Sequence, residues 1–218
     1  IFNRTLGASE ISSIYSAASA GMCPHCAPTA GGIISWWPGN GNTNDQVGQN
    51  FGTLVNGATY APGKVGDGFR FRQAGQYVEI PDSPSLRPTT GLTLEGWFKF
   101  DNAHPEAALV SKPYSTGSAN AYVMWIQSGN LYAGFSGGGA LGYPFDPVPG
   151  RWYHIAYTYD KASILHRLYV DGNVVASAES NRDPVYDSSS VLIGIDKDNG
   201  DPVLGLAGMA DEVGVSGQ

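Results

Sequence analysis

The chain has 218 residues, of which 14% are charged and 11% aromatic, and its net charge is −7. This length suits a single β-rich domain, and an acidic chain without a basic cluster is not expected to bind nucleic acid. No apolar run reaches the roughly eighteen residues needed to cross a bilayer, so membrane insertion is not expected either.

The first predicted element is a short helix over residues 8–19. Gly7 stands at the cap position, and the carboxylate of Glu10 can accept a hydrogen bond from the cap N–H. The apolar residues that follow have the i, i+3, i+4 spacing of one helix face: Ile11, Ile14 and Tyr15. Because a helix of three turns is not stable alone in water, we expect it to dock on the rest of the chain.

A linker rich in Gly, Ala and Pro is predicted from Met22 to Gly32, and it contains both cysteines. Cys23 and Cys26 have the Cys-x-x-Cys spacing of thiol oxidoreductases, but no βαβ pattern surrounds them. Zinc is not favoured, because only His25 joins the two thiols and a closed site needs four ligands. We expect a small linker disulfide or two free thiols.

A strand with strict alternation is predicted in the stretch GRWYHIAYTYD. One face carries Trp152, His154, Ala156 and Thr158, and the other carries Tyr153, Ile155, Tyr157 and Tyr159. Further along, Asp171-Gly172 separates two short apolar runs. This dipeptide accepts the positive φ angles of a type I′ turn, so the sequence predicts an antiparallel hairpin here.

Similar alternation recurs from Ile33 onward and predicts about a dozen short strands. A long polar loop, Gly39–Gly52, interrupts them. The clearest predicted strands are Ile33–Trp37, Thr53–Val55, Phe69–Arg72, Gln76–Ile80, Leu92–Phe100, Ala108–Ser111, Ala121–Gln127, Leu131–Ser136, Val191–Ile195 and Leu206–Val215. Short strands separated by turns indicate an all-β sandwich or barrel.

Five fragments, in this order, resemble consecutive landmarks of LamG-like modules. They are GIISWWPGNGNTNDQVGQNFGTLVNGATYAPGKVGDGFRF, YVEIPDSPSLRPTTGLTLEGWFKF, GRWYHIAYTYD, LYVDGNVV and GLAGMADEVGV. These modules belong to the concanavalin A-like jelly-roll superfamily and are common in large secreted or surface bacterial proteins. The resemblance implies a jelly-roll sandwich of two antiparallel sheets, often with a structural calcium ion. Family roles range over carbohydrate binding, adhesion and spacing, so the fold alone does not fix the function.

The N-terminal stretch IFNRTLGASEISSIYSAASAGMCP resembles the tail that normally follows the DEV segment in such modules. We therefore expect residues 1–31 to be the tail of a preceding repeat plus a linker, and residues 32–218 to be the jelly-roll domain. The chain would then come from a tandem array, with neighbouring repeats as partners and an extracellular or cell-surface location. The helix is expected to fold back onto its own module near the Leu206–Val215 strand, or to enter a neighbour; we favour the intramolecular form.

Glycoside hydrolysis by this fold would require two carboxylates at a defined separation. Glu95 has Thr93 and Trp97 as its same-face neighbours, so its strand offers no acidic partner. Asp211 and Glu212 are adjacent and should point to opposite faces of a strand. Catalysis is therefore not expected.

Calcium is expected where the N-terminal and C-terminal strands meet, as the resemblance implies. The matching positions are Asp211, Asp67, Gly68 and Asp45. The alternative is that Asp211 caps a turn. A second acidic stretch, 196–201, has a D-x-D-x-x-D spacing but no Glu at position twelve of a calcium loop, so an acidic hairpin is favoured there.

Sugar binding requires exposed aromatic faces with polar groups at their edges. In the stretch from Tyr122 to Gln127, alternation places Trp125 and Gln127 on one face. Tyr143 lies in a Gly/Pro-rich stretch that is predicted to be a loop at the rim of a cleft. The predicted sugar-binding residues are Trp125, Gln127, Tyr132 and Tyr143. The alternative for each aromatic ring is a place in the core. We predict a non-catalytic extracellular carbohydrate-binding module, with a structural or adhesive spacer as the alternative and a glycoside hydrolase third.

Overall fold

The computed structural model describes residues 6–17 and 32–217. These residues form a helix α1 (Ala8–Ala17), a 3-10 turn at Pro84–Leu86, and seventeen strands. The strands are β1 (Ile33–Trp37), β2 (Thr53–Val55), β3 (Thr59–Pro62), β4 (Asp67–Phe71), β5 (Tyr77–Ile80), β6 (Gly91–Phe100), β7 (Ala107–Pro113), β8 (Asn120–Gln127), β9 (Asn130–Phe135), β10 (Gly139–Pro144), β11 (Trp152–Asp160), β12 (Leu165–Val170), β13 (Asn173–Glu179), β14 (Val191–Ile193), β15 (Asp196–Asp198), β16 (Asp201–Val203) and β17 (Gly208–Gly217). Cys23, Cys26 and most of the predicted linker lie outside the described residues.

Two antiparallel sheets account for most of these strands. The first sheet has the order β13-β12-β11-β6-β17-β4-β3, and β1 also pairs with β17. The second sheet has the order β10-β9-β8-β7-β14-β5-β2, and β15 and β16 form a separate hairpin. The prediction of an all-β sandwich with one short helix is confirmed. No helix within the described ranges is long and apolar enough to cross a membrane.

The core lies between the two sheets and follows from strand alternation. On β6, Leu94 and Phe98 point inward, and Tyr157 of β11 lies in the same fully buried cluster. From the second sheet, Tyr122 and Met124 of β8 enter that cluster. Successive residues of a strand point to opposite faces, so the outer faces remain free to carry other groups.

The predicted hairpin joins β12 to β13. Asp171 has φ 49° and Gly172 has φ 78°, the two positive angles that a type I′ turn requires. The Asp171 carboxylate also accepts a hydrogen bond of 3.0 Å from the backbone N–H of His154 on β11. The turn is thereby fixed to the strand beside it.

Helix α1 packs on the outer face of the first sheet. As predicted, the Glu10 carboxylate accepts a hydrogen bond from Gly7 N, at 2.9 Å. Tyr15 stacks on Trp97 of β6 with ring centres 5.8 Å apart. A buried apolar cluster joins the N-terminal segment to β11 and β12: Leu6, Ile11, Ala156 and Tyr169. The helix therefore docks within its own chain. Its contact residue Trp97 is the register partner of Asp211, so the helix lies close to strand β17.

The β12–β13 turn is shaped to receive the helix. Ser12 Oγ donates a hydrogen bond to the Gly172 carbonyl at 2.8 Å. A Cβ at Gly172 would lie 3.1 Å from Ser12 Cα and 3.2 Å from Tyr15 Cβ. Glycine is required at position 172 for two reasons, the positive φ angle and the close approach of α1.

Two strands were not predicted, and both lie at sheet edges. β3 and β10 contain Pro62 and Pro144, and β10 begins with Gly139. A proline cannot donate to a strand ladder, but an edge strand has one side without a neighbour and tolerates it. The Gly/Pro-rich stretch that contains Tyr143 is therefore a strand and not a loop.

His166 lies in the sandwich interior with 2% exposure. Its Nδ1 is 2.6 Å from the Tyr157 hydroxyl, and its ring stacks on Phe135 with centres 5.2 Å apart. Burial lowers the pKa of His166 to about 4, because a protonated imidazole loses its hydration there.

We predict that docking of α1 depends on Ile11. Ile11→Ala should weaken it by about 2–5 kcal/mol, the usual cost of truncating a buried isoleucine. Amide hydrogen exchange should then show loss of protection in α1 while β11 remains protected, because the sandwich has its own core. Ser16→Ala, at an exposed position of the same helix, is the control. Equal loss of protection in α1 and β11 would contradict independent docking.

We also predict that His166 lowers stability in acid. The unfolded chain binds a proton near pH 6.5 and the native chain only near pH 4, so stability is lost as pH falls between these values. The loss attributable to His166 should approach about 3 kcal/mol. Urea denaturation from pH 7.5 to 4 should give a flatter profile for His166→Phe. If the free energy of unfolding depends on pH as steeply in His166→Phe as in the native chain, the prediction is wrong. His104→Phe is the control, because it removes an exposed imidazole.

Candidate functional site: a cavity on the second sheet

Strand β8 separates core residues from surface residues by alternation. Tyr122, Met124 and Ile126 are fully buried between the sheets. Trp125 is partly exposed and Gln127 is exposed, both on the outer face, as their alternation predicts. The indole of Trp125 is therefore not part of the core.

Tyr132 supports Trp125 from the neighbouring strand. The two residues are register partners on β8 and β9, and their rings stack with centres 5.0 Å apart and planes 22° apart. Tyr132 in turn lies over Gly142 of β10, where an added Cβ would approach the tyrosine ring to 3.0 Å. The pair forms a continuous aromatic surface on the outer face of the second sheet.

A cavity of about 590 Å³ opens beside this surface. Its apolar lining comes from β8, β9 and the β15–β16 hairpin and includes Val123, Trp125, Phe135, Val203 and Leu204. Its polar lining includes Asn120, Gln127, Ser136, Asp196 and Asp198. An apolar wall with a few convergent polar groups is the composition expected of a small-ligand site.

The polar end of the cavity is built on Asn120 and Asp196. These side chains are 9% and 5% exposed, and Asn120 Nδ2 donates to Asp196 Oδ2 at 3.0 Å. Asp196 Oδ1 accepts a hydrogen bond from the backbone N–H of Lys197 at 2.9 Å. Burial raises the pKa of Asp196, and its hydrogen bonds oppose that rise. Asn120 Oδ1 has no hydrogen-bond partner in the described part of the chain, which leaves a buried acceptor at the cavity.

The four predicted sugar-binding residues do not all come together. Trp125 and Gln127 line the cavity, and Tyr132 lies next to it through its stack on Trp125. Tyr143 of β10 is the register partner of Leu131 of β9, and its partly buried side chain packs against the core. Tyr143 is thus separated from Trp125 by the thickness of the sheet.

Sequence reasoning missed the polar end of the cavity. Asn120 and Asp196 are 76 positions apart, and only the folded strand order brings them together. The acidic stretch 196–201 is predicted to be a hairpin loop, whereas in the structure most of it belongs to the paired strands β15 and β16. What the sequence did not indicate was that this hairpin borders the aromatic face of β8.

Another depression, of about 820 Å³, lies near β1 and the loop after it. It is lined by Asn50, Phe51 and Asp82 among others. The Asn50 amide already donates to Ser35 and Ser85, and Asp82 is held by Lys112 and Arg87. The Asn50 amide and the Asp82 carboxylate are thus bonded within the protein. The larger volume of this depression therefore does not make it a better candidate for ligand binding than the cavity beside Trp125.

Asp211, the main candidate calcium ligand, holds a backbone turn. Its Oδ2 accepts hydrogen bonds from the N–H groups of Lys64 and Val65, at 2.7 and 2.8 Å. A Cβ at Gly68 would lie 3.1 Å from Asp211 Cβ, so Gly68 packs directly against this side chain. The other oxygen, Oδ1, is buried without a hydrogen-bond partner among the described residues, and burial raises the pKa of Asp211 to about 7.

The other predicted ligands are placed differently. Asp45 accepts hydrogen bonds from the N–H groups of Trp36, Val47 and Asn50, so both of its oxygens hold the loop after β1. Asp67 is exposed at the start of β4. Within the described ranges, no three His, Cys, Asp or Glu side chains converge as a metal-binding group.

Glu95 does not have the surroundings of a glycosidase carboxylate. It is 1% exposed on the outer face of the first sheet, and its Oε2 lies 3.3 Å from His154 Nε2. Glu212 accepts a hydrogen bond of 2.9 Å from the Trp36 indole. Glu95 thus contacts His154 without a hydrogen bond among the described residues, Glu212 is hydrogen-bonded, and neither carboxylate lines the aromatic cavity.

Comparison with solved structures finds the same fold in several binding domains. Domain 4 of AbnA, an extracellular arabinanase from Geobacillus stearothermophilus solved with arabinotriose, has a TM-score of 0.64 and 19% identity over 85% of this chain and 92% of that chain. The binding domain of Paraclostridial Mosquitocidal Protein 1 has a TM-score of 0.66 and 13% identity over 86% of this chain and 49% of that chain. The CBM40 of the Ruminococcus gnavus IT-sialidase, bound to α2,3-sialyllactose, has a TM-score of 0.58 and 14% identity over 67% of this chain and 88% of that chain. At these identities the likeness concerns the fold alone.

A search of curated protein sequences finds no match. A laminin G-like family model, described as the concanavalin A-like lectin/glucanases superfamily, matches residues 72–217. This range includes β5 to β17 and therefore the whole cavity. Together with the two-sheet antiparallel sandwich, the match shows that the chain belongs to this laminin G-like family of the concanavalin A-like superfamily.

Proposed function

We propose that this protein is a non-catalytic carbohydrate-binding module whose sugar site is the cavity beside Trp125. The observation that carries the proposal is the partly exposed indole of Trp125, which stacks on Tyr132 at the edge of the cavity. The same cavity contains Asn120 Oδ1, a buried acceptor that has no hydrogen-bond partner among the described residues. Sugar C–H faces pack on aromatic rings, while sugar hydroxyls require hydrogen-bond partners. The cavity supplies both kinds of contact within one volume.

The fold supports this proposal without deciding it, because one fold serves many functions. Two solved relatives were determined with a bound sugar, arabinotriose in one and sialyllactose in the other. We also propose that the module is extracellular or at the cell surface and that it has neighbouring repeats as partners.

Hydrolysis is the runner-up, because Asp196 and Asp198 both line the cavity on one strand. A general acid must carry a proton before it can donate one to the leaving group. Burial raises the pKa of Asp196, but both of its oxygens already accept N–H hydrogen bonds, so a proton placed on either oxygen would weaken one of these bonds. Binding without turnover is therefore the better-supported function.

We predict that Trp125→Ala weakens sugar binding by about tenfold or more, because an aromatic contact contributes about 0.5–1.5 kcal/mol beyond the area it buries. Isothermal titration with arabinotriose, xylotriose and cellotriose measures the change. Trp152→Ala, which removes a partly exposed tryptophan from the first sheet, is the matched control and should leave the affinity unchanged. Chromatography of the recovered ligand should show intact trisaccharide, whereas shortened products would establish hydrolysis instead.

The absence of binding by a broad neutral and charged glycan array would contradict the proposed function and favour a spacer role. Binding that is lost equally in the Trp125 and Trp152 variants would place the site elsewhere.

We further propose that Asp211 and the turn from Gly63 to Gly68 hold a structural calcium ion. The buried Oδ1 of Asp211, which has no hydrogen-bond partner in the part of the chain that the structure describes, is an oxygen of the kind that this hard cation prefers. Asp45 is left out of the proposed set, because its oxygens already accept backbone N–H groups. A bound cation would neutralise the buried carboxylate of Asp211, and the turn from Gly63 to Gly68 would contribute backbone carbonyl oxygens as further ligands.

Removal of calcium with EDTA should lower the melting temperature of the native chain. Calcium at a hundredfold excess over its Kd should add about 2.7 kcal/mol of stability, because it binds the folded state alone. The same additions should have no effect on Asp211→Asn, which lacks the ionised carboxylate. A melting temperature indifferent to both EDTA and calcium would contradict a structural ion.

A further inference from the structure

We infer that the cavity beside Trp125 selects uncharged sugars and rejects anionic glycans such as uronic-acid oligosaccharides. This inference rests on the proposed sugar-binding function and specifies the ligand class of the same site. It comes from the charges and the free hydrogen-bonding atom of the cavity lining.

The charged side chains of the lining are both acidic. Asp196 lies at the buried polar end, and Asp198 lies two residues further along β15, on the same face of the strand. Among the described residues that line this cavity, none is a lysine or an arginine. An anionic sugar would therefore meet like charges in a partly desolvated space, where electrostatic repulsion is stronger than in bulk water.

Two basic side chains, Lys197 and Arg182, lie near the cavity but are not part of its described lining. Lys197 lies between the two aspartates, but its Nζ is 3.4 Å from Glu79 Oε1 and 5.0 Å from the centre of the Tyr77 ring. Arg182 lines a neighbouring depression beyond Ser136 and Gly137, together with Asp183. Neither cation is in place to neutralise a carboxylate bound in the cavity.

The free hydrogen-bonding atom points to the same ligand class. Asn120 Oδ1 is an acceptor that finds no partner in residues 6–17 and 32–217, and the amide nitrogen of the same side chain donates to Asp196. Carboxylate oxygens accept hydrogen bonds but do not donate them. The polar end of the cavity at Asn120 and Asp196 is thus suited to sugar hydroxyl donors, while the side-chain donors elsewhere in the lining, such as Gln127 and Ser136, carry no positive charge to pair with a carboxylate.

Charge reversal at the cavity edge tests the inference. The ligands are cellotriose and its counterpart in which each C6 hydroxymethyl is a carboxylate, titrated at low ionic strength and pH 7.5. The native chain should bind cellotriose at least about tenfold more tightly than the uronate. Asp198→Lys, at a half-buried position, should strengthen uronate binding by about tenfold relative to cellotriose binding. Added salt should diminish the difference between the ligands.

Glu179→Lys is the matched control, because it makes the same change in net charge at an exposed position on β13 of the other sheet. If Glu179→Lys raises uronate binding as much as Asp198→Lys, the effect is one of overall charge and the inference is wrong. Equal affinity of the native chain for both ligands would overturn the inference while leaving the proposed function intact. Failure of cellotriose, xylotriose and arabinotriose to bind at all would overturn the proposed function itself.

Discussion

The two faces of each β-strand are the constraint on which the rest of this structure depends. Successive side chains alternate between the faces, and the inner faces of both sheets are occupied by one large apolar core. Any group that binds a partner must therefore come from an outer face or from a connecting loop. This division is visible in the second half of β8, where Met124 is fully buried while the next residue, Trp125, is partly exposed.

The two outer faces of the sandwich are used differently. On the first sheet, Tyr15 of α1 stacks on Trp97, and Ile11 joins Tyr169 in a small apolar cluster. On the second sheet, the exposed aromatic pair of Trp125 and Tyr132 lies beside an open cavity. The same alternation thus produces a face that docks a segment of the chain and a face that can receive a ligand. The arrangement explains why two tryptophans on outer faces do not have the same role.

Local sequence signals predicted the elements that depend on local physics. The helix cap at Gly7 and Glu10, the type I′ turn at Asp171-Gly172 and the inward-outward pattern of β8 all follow from spacing along the chain. In each case the decisive contacts lie within a few residues. The family resemblance added the arrangement of two antiparallel sheets in a sandwich, which periodicity alone could not provide.

The parts of the site that sequence did not predict depend on strand order and register. Asn120 and Asp196 meet because the β15–β16 hairpin lies beside β8, and nothing near either residue indicates that pairing. Tyr143 was grouped with Trp125 because its Gly/Pro-rich surroundings indicated a loop. In the structure that segment is the edge strand β10, and its register directs Tyr143 to the core side.

The central claim is that ligand binding belongs to the outer face of the second sheet, at Trp125. Its most direct test is an NMR titration of the five tryptophan indole N–H signals with a mixture of neutral oligosaccharides. The account predicts a saturable shift of the Trp125 signal, while the signals of Trp97 under α1 and of the buried Trp37 stay in place. A shift of Trp97 without any change at Trp125, or no shift of any indole at saturating sugar, would contradict it.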